Sequence, residues 1–273
     1  MMTATEKPIL KSIELPNQIR LQYVEQGDRA GAPVIFLHGI TDSWYSFEPV
    51  LPYLPESIHA FALSQRGHGD SDRPVDGYHP SDFAADVATF MNALNIKRAV
   101  IAGHSMGSHI AQRFALDYPD RTRGLVLMAT FFTFRNNEGM DELREAVSNL
   151  IDPIDPGFVL DFQESTLAGP VPQVFLDRVV EESLKVPARV WKAALNGLID
   201  DEHSEQLSSI EAPTLIVWGE QDSFCTRSDQ EALRAAIKGS RLVIYPGSGH
   251  ALHWEAPERF AANIAAFTVS LDK

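Results

Sequence analysis

Three residues of this chain can together carry nucleophilic catalysis. Ser105 lies in Gly103-His104-Ser105-Met106-Gly107, a G-x-S-x-G pattern between a β-like stretch, Arg98–Ala102, and a helix-like one, Ser108–Ala115. A serine in that turn stands exposed at a strand end, above a helix N-terminus, and the flanking glycines leave room for a bend that side chains would block. Its hydroxyl needs a base, and the base needs an acid to orient it. Asp222 follows the apolar run Thr214–Trp218, in Gly219-Glu220-Gln221-Asp222. His250 follows Arg241–Tyr245, in Pro246-Gly247-Ser248-Gly249-His250. Glu220 and the pair Asp200-Asp201 compete with Asp222 for the role of acid. His253 competes with His250 for that of base.

The elements between these residues must position them. Ile19–Val24 alternates polar and apolar residues and reads as a half-exposed strand of an N-terminal hairpin, with Gly27-Asp28 as a turn after it. Val34–Leu37 is a short apolar run ending at His38-Gly39, as buried parallel strands do. Ile58–Leu63 is a further strand. Ser81-Asp82 can cap a helix through Phe83, Val87, Phe90, Met91 and Leu94. The strand into Gly103, the helix beyond it and the strand Leu125–Ala129 complete an alternation that predicts a doubly wound parallel sheet, with catalytic residues on loops at the C-terminal strand ends. After Ala129 the rhythm breaks. Met140–Leu150, Val171–Leu184 and Ala188–Leu198 carry helical patterns, punctuated by prolines 153, 156, 170, 172 and 187. Residues 132–208 therefore read as an inserted helical cap, and 1–131 with 209–273 as the core. A last helix runs from about Pro257, a first-turn proline, to Val269.

With these motifs in order, the chain resembles the α/β-hydrolase superfamily over nearly its whole length, closest to a serine-nucleophile branch of esterases and lactonases. The resemblance rests on His38-Gly39, Arg66-Gly67-His68-Gly69-Asp70-Ser71, the turn at Ser105, Asp222 and His250. It implies a mostly parallel, eight-stranded sheet with the cap inserted after the sixth strand. It also implies that Ser105 is the nucleophile, His250 the general base and Asp222 its orienting acid. One oxyanion donor is the backbone N–H of the residue after the nucleophile, Met106; the other, by resemblance, is that of Ile40. Serine at position 105 disfavours the relatives that use an aspartate nucleophile, namely epoxide hydrolases and haloalkane dehalogenases. Many relatives have Gly-Gly where this chain has Gly107-Ser108, which weakens assignment to cofactor-free haloperoxidases and to C–C bond hydrolases.

The reaction expected is acyl transfer from a mostly apolar ester or lactone. C–C bond hydrolysis of a diketone, or a slow-turnover ligand receptor on the same fold, are the alternatives. Trp44, Phe131, Phe132, Phe134, Phe158, Phe162 and Trp191 are candidates to line the substrate pocket. His38 is expected to hydrogen-bond within its loop, and Arg66–Ser71 to shape a turn. The nine histidines form no metal-ligand spacing, His250-x-x-His253 included, and no glycine-rich phosphate loop with a lysine occurs, so no metal and no cofactor are expected.

Bulk properties narrow the remaining classes. With 44% hydrophobic and 22% charged residues the chain can bury a large core. Its net charge of -14 argues against nucleic acid and anionic membrane surfaces as partners. Cys225 is the single cysteine, which excludes an internal disulfide. Glu6, Lys7, Lys11 and Glu14 interrupt Met1–Leu15, against a secretory leader, and no stretch has transmembrane length. A cytoplasmic monomer or homodimer is the expectation.

Overall fold

The computed structural model describes residues 9–135 and 137–272. In chain order the first elements are β1 (Ile9–Glu14), β2 (Arg20–Gln26), β3 (Ala32–Leu37), β4 (Ile58–Leu63), α1 (Pro80–Ala93), β5 (Ala99–His104), α2 (Met106–Asp117) and β6 (Thr122–Met128). Four helices follow: α3 (Glu138–Ser148), α4 (Pro156–Ser165), α5 (Gln173–Leu184) and α6 (Ala188–Asp200). The chain then returns to the sheet through β7 (Thr214–Gly219), α7 (Arg227–Ala236), β8 (Arg241–Tyr245), α8 (Leu252–Glu255) and α9 (Pro257–Ser270).

The eight strands form one sheet in the order β1-β2-β4-β3-β5-β6-β7-β8. The pairs β1–β2 and β2–β4 are antiparallel, and the rest are parallel. This is an α/β-hydrolase fold. The central strands are buried on both faces, and their side chains sort by the two-residue strand period. Ile35, Leu37, Ile101, Leu125 and Ile216 pack with α1, α2, α7 and the four-helix segment. Their neighbours Val34, Phe36, Val100, Val126 and Leu215 pack with Phe47 and α9 on the other face. Residues 9–14, which the sequence pattern did not single out, form β1 and pair with β2 as the hairpin's second strand. The turn at Gly27-Asp28 does not close a hairpin, because β4 lies between β2 and β3.

Two helix starts differ from expectation, both through proline. The first helix begins at Pro80 rather than after Ser81-Asp82, and the Asp82 carboxylate accepts the His79 N–H at 3.0 Å from inside the first turn. Pro156, taken from sequence as a break, is the first residue of α4, where its missing N–H is no loss. The Asp155 carboxylate caps that helix by accepting the N–H of Gly157 at 2.6 Å and of Phe158 at 3.3 Å.

The turn after β4 is held from below. Buried Arg66 donates two hydrogen bonds of 2.6 Å to the Asp86 carboxylate on α1, and a third of 2.8 Å to the Gly77 carbonyl. Gly67 and Gly69, at φ of 81° and 54°, allow the Arg66–Ser71 turn to fold back over it. Among the described residues no helix is long and apolar enough to cross a membrane. Of the stretch Met1–Leu15 read above, residues 1–8 with Glu6 and Lys7 lie outside the described residues, while Lys11 and Glu14 fall in β1.

The Arg66–Asp86 pair yields a stability prediction. Arg66→Ala strands a buried carboxylate, so it is expected to lower the unfolding free energy by about 3–5 kcal/mol. A urea midpoint that stays put would contradict this.

Candidate active site

Ser105 is the hinge between β5 and α2, with φ 52° and ψ -117°. A non-glycine residue reaches that region only under strain of about 1–3 kcal/mol, which the surroundings must hold in place. They do so by backbone proximity. A Cβ on Gly103 would run into the carbonyl of Gly107, and one on Gly107 into the carbonyl of Leu37 at the end of β3. No larger residue fits either place. The Ser105 N–H donates to the Met128 carbonyl at 3.0 Å, tying the turn to β6. Met106 is the first residue of α2, so its N–H has no carbonyl one turn back to donate to.

His250 and Asp222 meet beneath the cleft. The His250 Nδ1 lies 3.0 Å from both Asp222 carboxylate oxygens, and the Asp222 side chain is fully enclosed. A carboxylate only accepts, so Nδ1 carries the proton and Nε2 keeps its lone pair. Asp222 is fixed in turn by the N–H groups of Phe224 at 2.8 Å and Cys225 at 3.0 Å. Of its rivals, Glu220 is exposed and Asp201 faces other histidines. His253 is buried against Ser46, with Nε2 3.1 Å from its hydroxyl. Glu255 positions the His250 loop: Oε2 accepts the Gly249 N–H at 2.8 Å, while Oε1 accepts those of Ala168 and Gly169 at 2.6 and 2.8 Å.

Ser105, His250, Ile40 and His104 line one narrow cleft between the sheet and the inserted helices. His38 stiffens the loop that carries Ile40: its Nδ1 donates to the Gly39 carbonyl at 2.7 Å and its Nε2 accepts the Gln65 N–H at 3.0 Å. Of the seven candidate lining residues, Phe131 and Phe162 face the cleft. The other five do not. Phe134 stands behind Phe131, ring centroids 4.7 Å apart, and packs on His109. Phe158 and Trp191 pack together inside the helical segment, with Trp191 fully buried. Trp44 packs with the core on the far face of the sheet, edge-on to Tyr45. Phe132 is half-buried against the main core. The cleft is lined instead by Met140, Leu195, Leu198 and Phe224, with Asp42 and Gln163 as polar members. Leu195 and Leu198 are three apart on α6, a spacing that marks one face of a helix without saying what that face covers.

Two groups could offer metal donors. Donor atoms of His109, Asp201 and His203 lie within 4.8 Å of one another, as do those of Asp222, Cys225 and His250. Sequence spacing missed the first group because its members meet only where α2 passes the end of α6. There the His203 Nδ1 lies 3.2 Å from an Asp201 carboxylate oxygen, and the His109 Nε2 2.9 Å from the Asp201 carbonyl. In the second group burial raises the Cys225 pKa well above the usual thiol range, so the thiol keeps its proton.

Burial also sets the charge of the surroundings. Desolvation lowers the pKa of His38, His104 and His109, and brings those of His68 and His253 to about 4 and about 3. Desolvation raises that of Asp42 to about 7, against hydrogen bonds from Gln163 and Ser46. An unfolded histidine takes up a proton near pH 6.5 while these buried ones stay neutral, so stability is lost as pH falls below that point. For His68 and His253 the loss reaches about 2 kcal/mol each at pH 5. Asp42 acts in the opposite sense, taking its proton first in the folded state, but it is one group against five. The thermal midpoint is therefore expected to be lower at pH 5 than at pH 7.5. An unchanged midpoint in calorimetry would contradict the assignment.

A family model for the alpha/beta hydrolase family matches residues 34–263. The chain is 30% identical over 261 residues to 2-(acetamidomethylene)succinate hydrolase of Mesorhizobium japonicum, covering 88% of each chain. It is 28% identical over 279 residues to a 2-hydroxy-6-oxononadienedioate/2-hydroxy-6-oxononatrienedioate hydrolase of Paraburkholderia xenovorans, covering 97% of this chain and 96% of that one. Among solved structures it is similar to the esterase RhEst1 of Rhodococcus sp. ECU1013, with a TM-score of 0.84 and 25% identity, covering 96% of this chain and 99% of that one.

Proposed function

The chain belongs to the alpha/beta hydrolase family, and we propose that it is a serine hydrolase of small, mostly apolar carboxylic esters or lactones. The observation that carries this reading is the His250–Asp222 contact of 3.0 Å beside a strained serine in the same cleft. With Nδ1–H held by Asp222, His250 takes the Ser105 proton on Nε2 as the hydroxyl attacks the ester carbonyl. Asp222 stabilises the imidazolium that forms. The oxyanion is received by the N–H groups of Met106 and Ile40, each donor of this kind contributing on the order of 3 kcal/mol. The imidazolium then protonates the departing alcohol. Water, deprotonated by His250, releases the acid from Ser105. These residues complete the cycle without a cofactor.

The chemistry of the cleft favours esters over the acidic substrates after which two relatives are named. Those names specify a succinate and a dienedioate, each with two carboxylates. Among the described residues that line this cleft, none is lysine or arginine, and one is the buried acid Asp42. A substrate carboxylate would enter a low-dielectric space without a countercharge, which is unfavourable by several kcal/mol. Cleavage of a C–C bond in an uncharged diketone remains the second reading, because the same three residues support it.

The test is hydrolysis of p-nitrophenyl esters of graded chain length by the wild type and by Ser105→Ala. Wild-type turnover that falls by about 10³-fold or more in Ser105→Ala is expected, since only binding and the oxyanion donors would remain. A variant as active as the wild type would refute the assignment. Turnover of a diketone but of no ester would move it to the second reading.

A further inference from the structure

We propose that Asp42 is a specificity-determining residue of this cleft, selecting esters that carry a hydroxyl or amine donor near the scissile carbonyl. The proposal rests on the esterase reading and deepens it by naming a substrate class. Asp42 lies two residues beyond Ile40, on the loop that supplies the second oxyanion donor, and its side chain borders the same cleft as Ser105 and His250. The residue is 4% exposed. One carboxylate oxygen accepts from Gln163 Nε2 at 3.1 Å, and the other from the Ser46 hydroxyl at 3.1 Å. Each oxygen has two lone-pair directions, so both keep room for a further donor.

No cation answers this carboxylate among the described residues. The groups that face it are Gln163 on α4, Ser46 on its own loop and, through Gln163, the hydroxyls of Ser183 on α5 and Thr41. His253 reaches it only through Ser46, and His104 packs against Gly39 beside it. His250 is the nearest group that becomes charged during turnover. A carboxylate buried without a countercharge lowers stability even when, as here, each oxygen accepts one hydrogen bond. A substrate donor would add a further interaction, and only in the occupied cleft. Apart from Gln163, Thr166 and the residues around Ser105 and His250 the wall is apolar, and Asp42 is the one carboxylate in it, placed to distinguish a hydroxyl or amine from a methyl group. Sites built to hydrogen-bond a substrate group discriminate strongly against the analogue that lacks it.

The ionisation of Asp42 adds a signature. Burial pushes its pKa up to about 7. Both forms accept from a hydroxyl, whereas only the ionised form pairs with an ammonium. Preference for an amine-bearing ester therefore rises with pH through about 7, while preference for a hydroxy ester changes little. The alternative role is structural: through Gln163, Asp42 ties α4 to the Ile40 loop. A positioning residue would change the rate for every ester by the same factor.

The experiment compares kcat/KM of the whole chain for methyl butanoate against methyl 3-hydroxybutanoate, and for propyl butanoate against 2-hydroxyethyl butanoate. Monomethyl succinate serves as the acidic counterpart. The expected result is a preference of about tenfold or more for the hydroxy ester in at least one pair, with monomethyl succinate disfavoured by a similar factor. Asp42→Ala, which removes both acceptor oxygens, is expected to bring the ratios to within about threefold of unity. Equal kcat/KM in the wild type overturns the proposal, and so does an Asp42→Ala variant that slows all esters alike. The wild-type ratios decide even if that variant fails to fold. If the wild type hydrolyses no ester, the esterase reading fails, and NMR titration of Ser105→Ala protein with the same pairs decides for Asp42. Tighter binding of the hydroxy compound then supports the proposal. Equal or absent binding overturns it.

Discussion

The contact between two backbones at the end of the sheet governs this molecule. Gly107, in the first turn of α2, lies so close to the Leu37 carbonyl that no side chain fits between them, and Gly103 stands in the same relation to Gly107. That approach has three consequences. It forces Ser105 into a left-handed backbone conformation that lifts it into the cleft. It turns the free N–H groups at the start of α2 toward the loop after β3. It also brings that loop, with Ile40 and Asp42, against Ser105. A parallel sheet makes the approach possible because β3 and β5 are neighbours in register, with Leu37 opposite Gly103. The strain at Ser105 is thereby held by the most rigid part of the fold.

The helical segment is joined to this base by apolar packing within the main core and by a set of polar ties. Gln163 on α4 bonds to Asp42 and to Ser183 on α5. The Thr166 carbonyl accepts the Ala251 N–H at 2.9 Å, and Glu255 bonds to backbone on both sides of the seam. A Cβ on Gly249 would lie 2.7 Å from the Ala168 nitrogen, so here too the backbones nearly touch. A small apolar cluster of Phe175, Val179, Ala251 and Trp254 closes the same seam. The loop that presents His250 is thus shaped by the inserted helices as well as by the sheet, which couples His250 to the roof of the pocket.

Electrostatically the interior contrasts with the surface. The chain carries a net charge of -14, yet Ser105 is surrounded by apolar side chains and by the neutral histidines His38 and His104. Neutral His38 and His104 serve as hydrogen-bonding struts, His38 to the Gly39 carbonyl in the loop after β3 and His104 to the His250 carbonyl at 3.1 Å. They stay uncharged because desolvation outweighs every hydrogen bond offered to the charged form. Of the carboxylates near Ser105, Asp222 is enclosed beneath His250 and Asp42 stands at the cleft wall. In so apolar a space each of these carries more weight than any surface acid.

The sequence by itself determined the sheet and the order of the candidate chemistry. Short, wholly apolar runs such as Val34–Leu37 and Leu125–Met128, too short for a helix and rich in β-branched residues or ended by a glycine turn, read as strands buried on both faces. A glycine-flanked serine between such a run and a helix leaves one geometry open. Local chemistry of this kind needs no knowledge of distant residues. Tertiary structure decided what depends on which faces meet. Phe158 and Phe162 are four apart on one helix, yet Phe162 reaches the cleft while Phe158 fills the interior beside Trp191. Asp42 reads as an ordinary loop acid until α4, more than a hundred residues later in the chain, folds over it and removes its water. The meeting of His109 with Asp201 and His203 likewise required α6 to end beside α2. Periodicity specifies that a side of a helix is apolar, but the partner that covers it is chosen by packing across the whole fold.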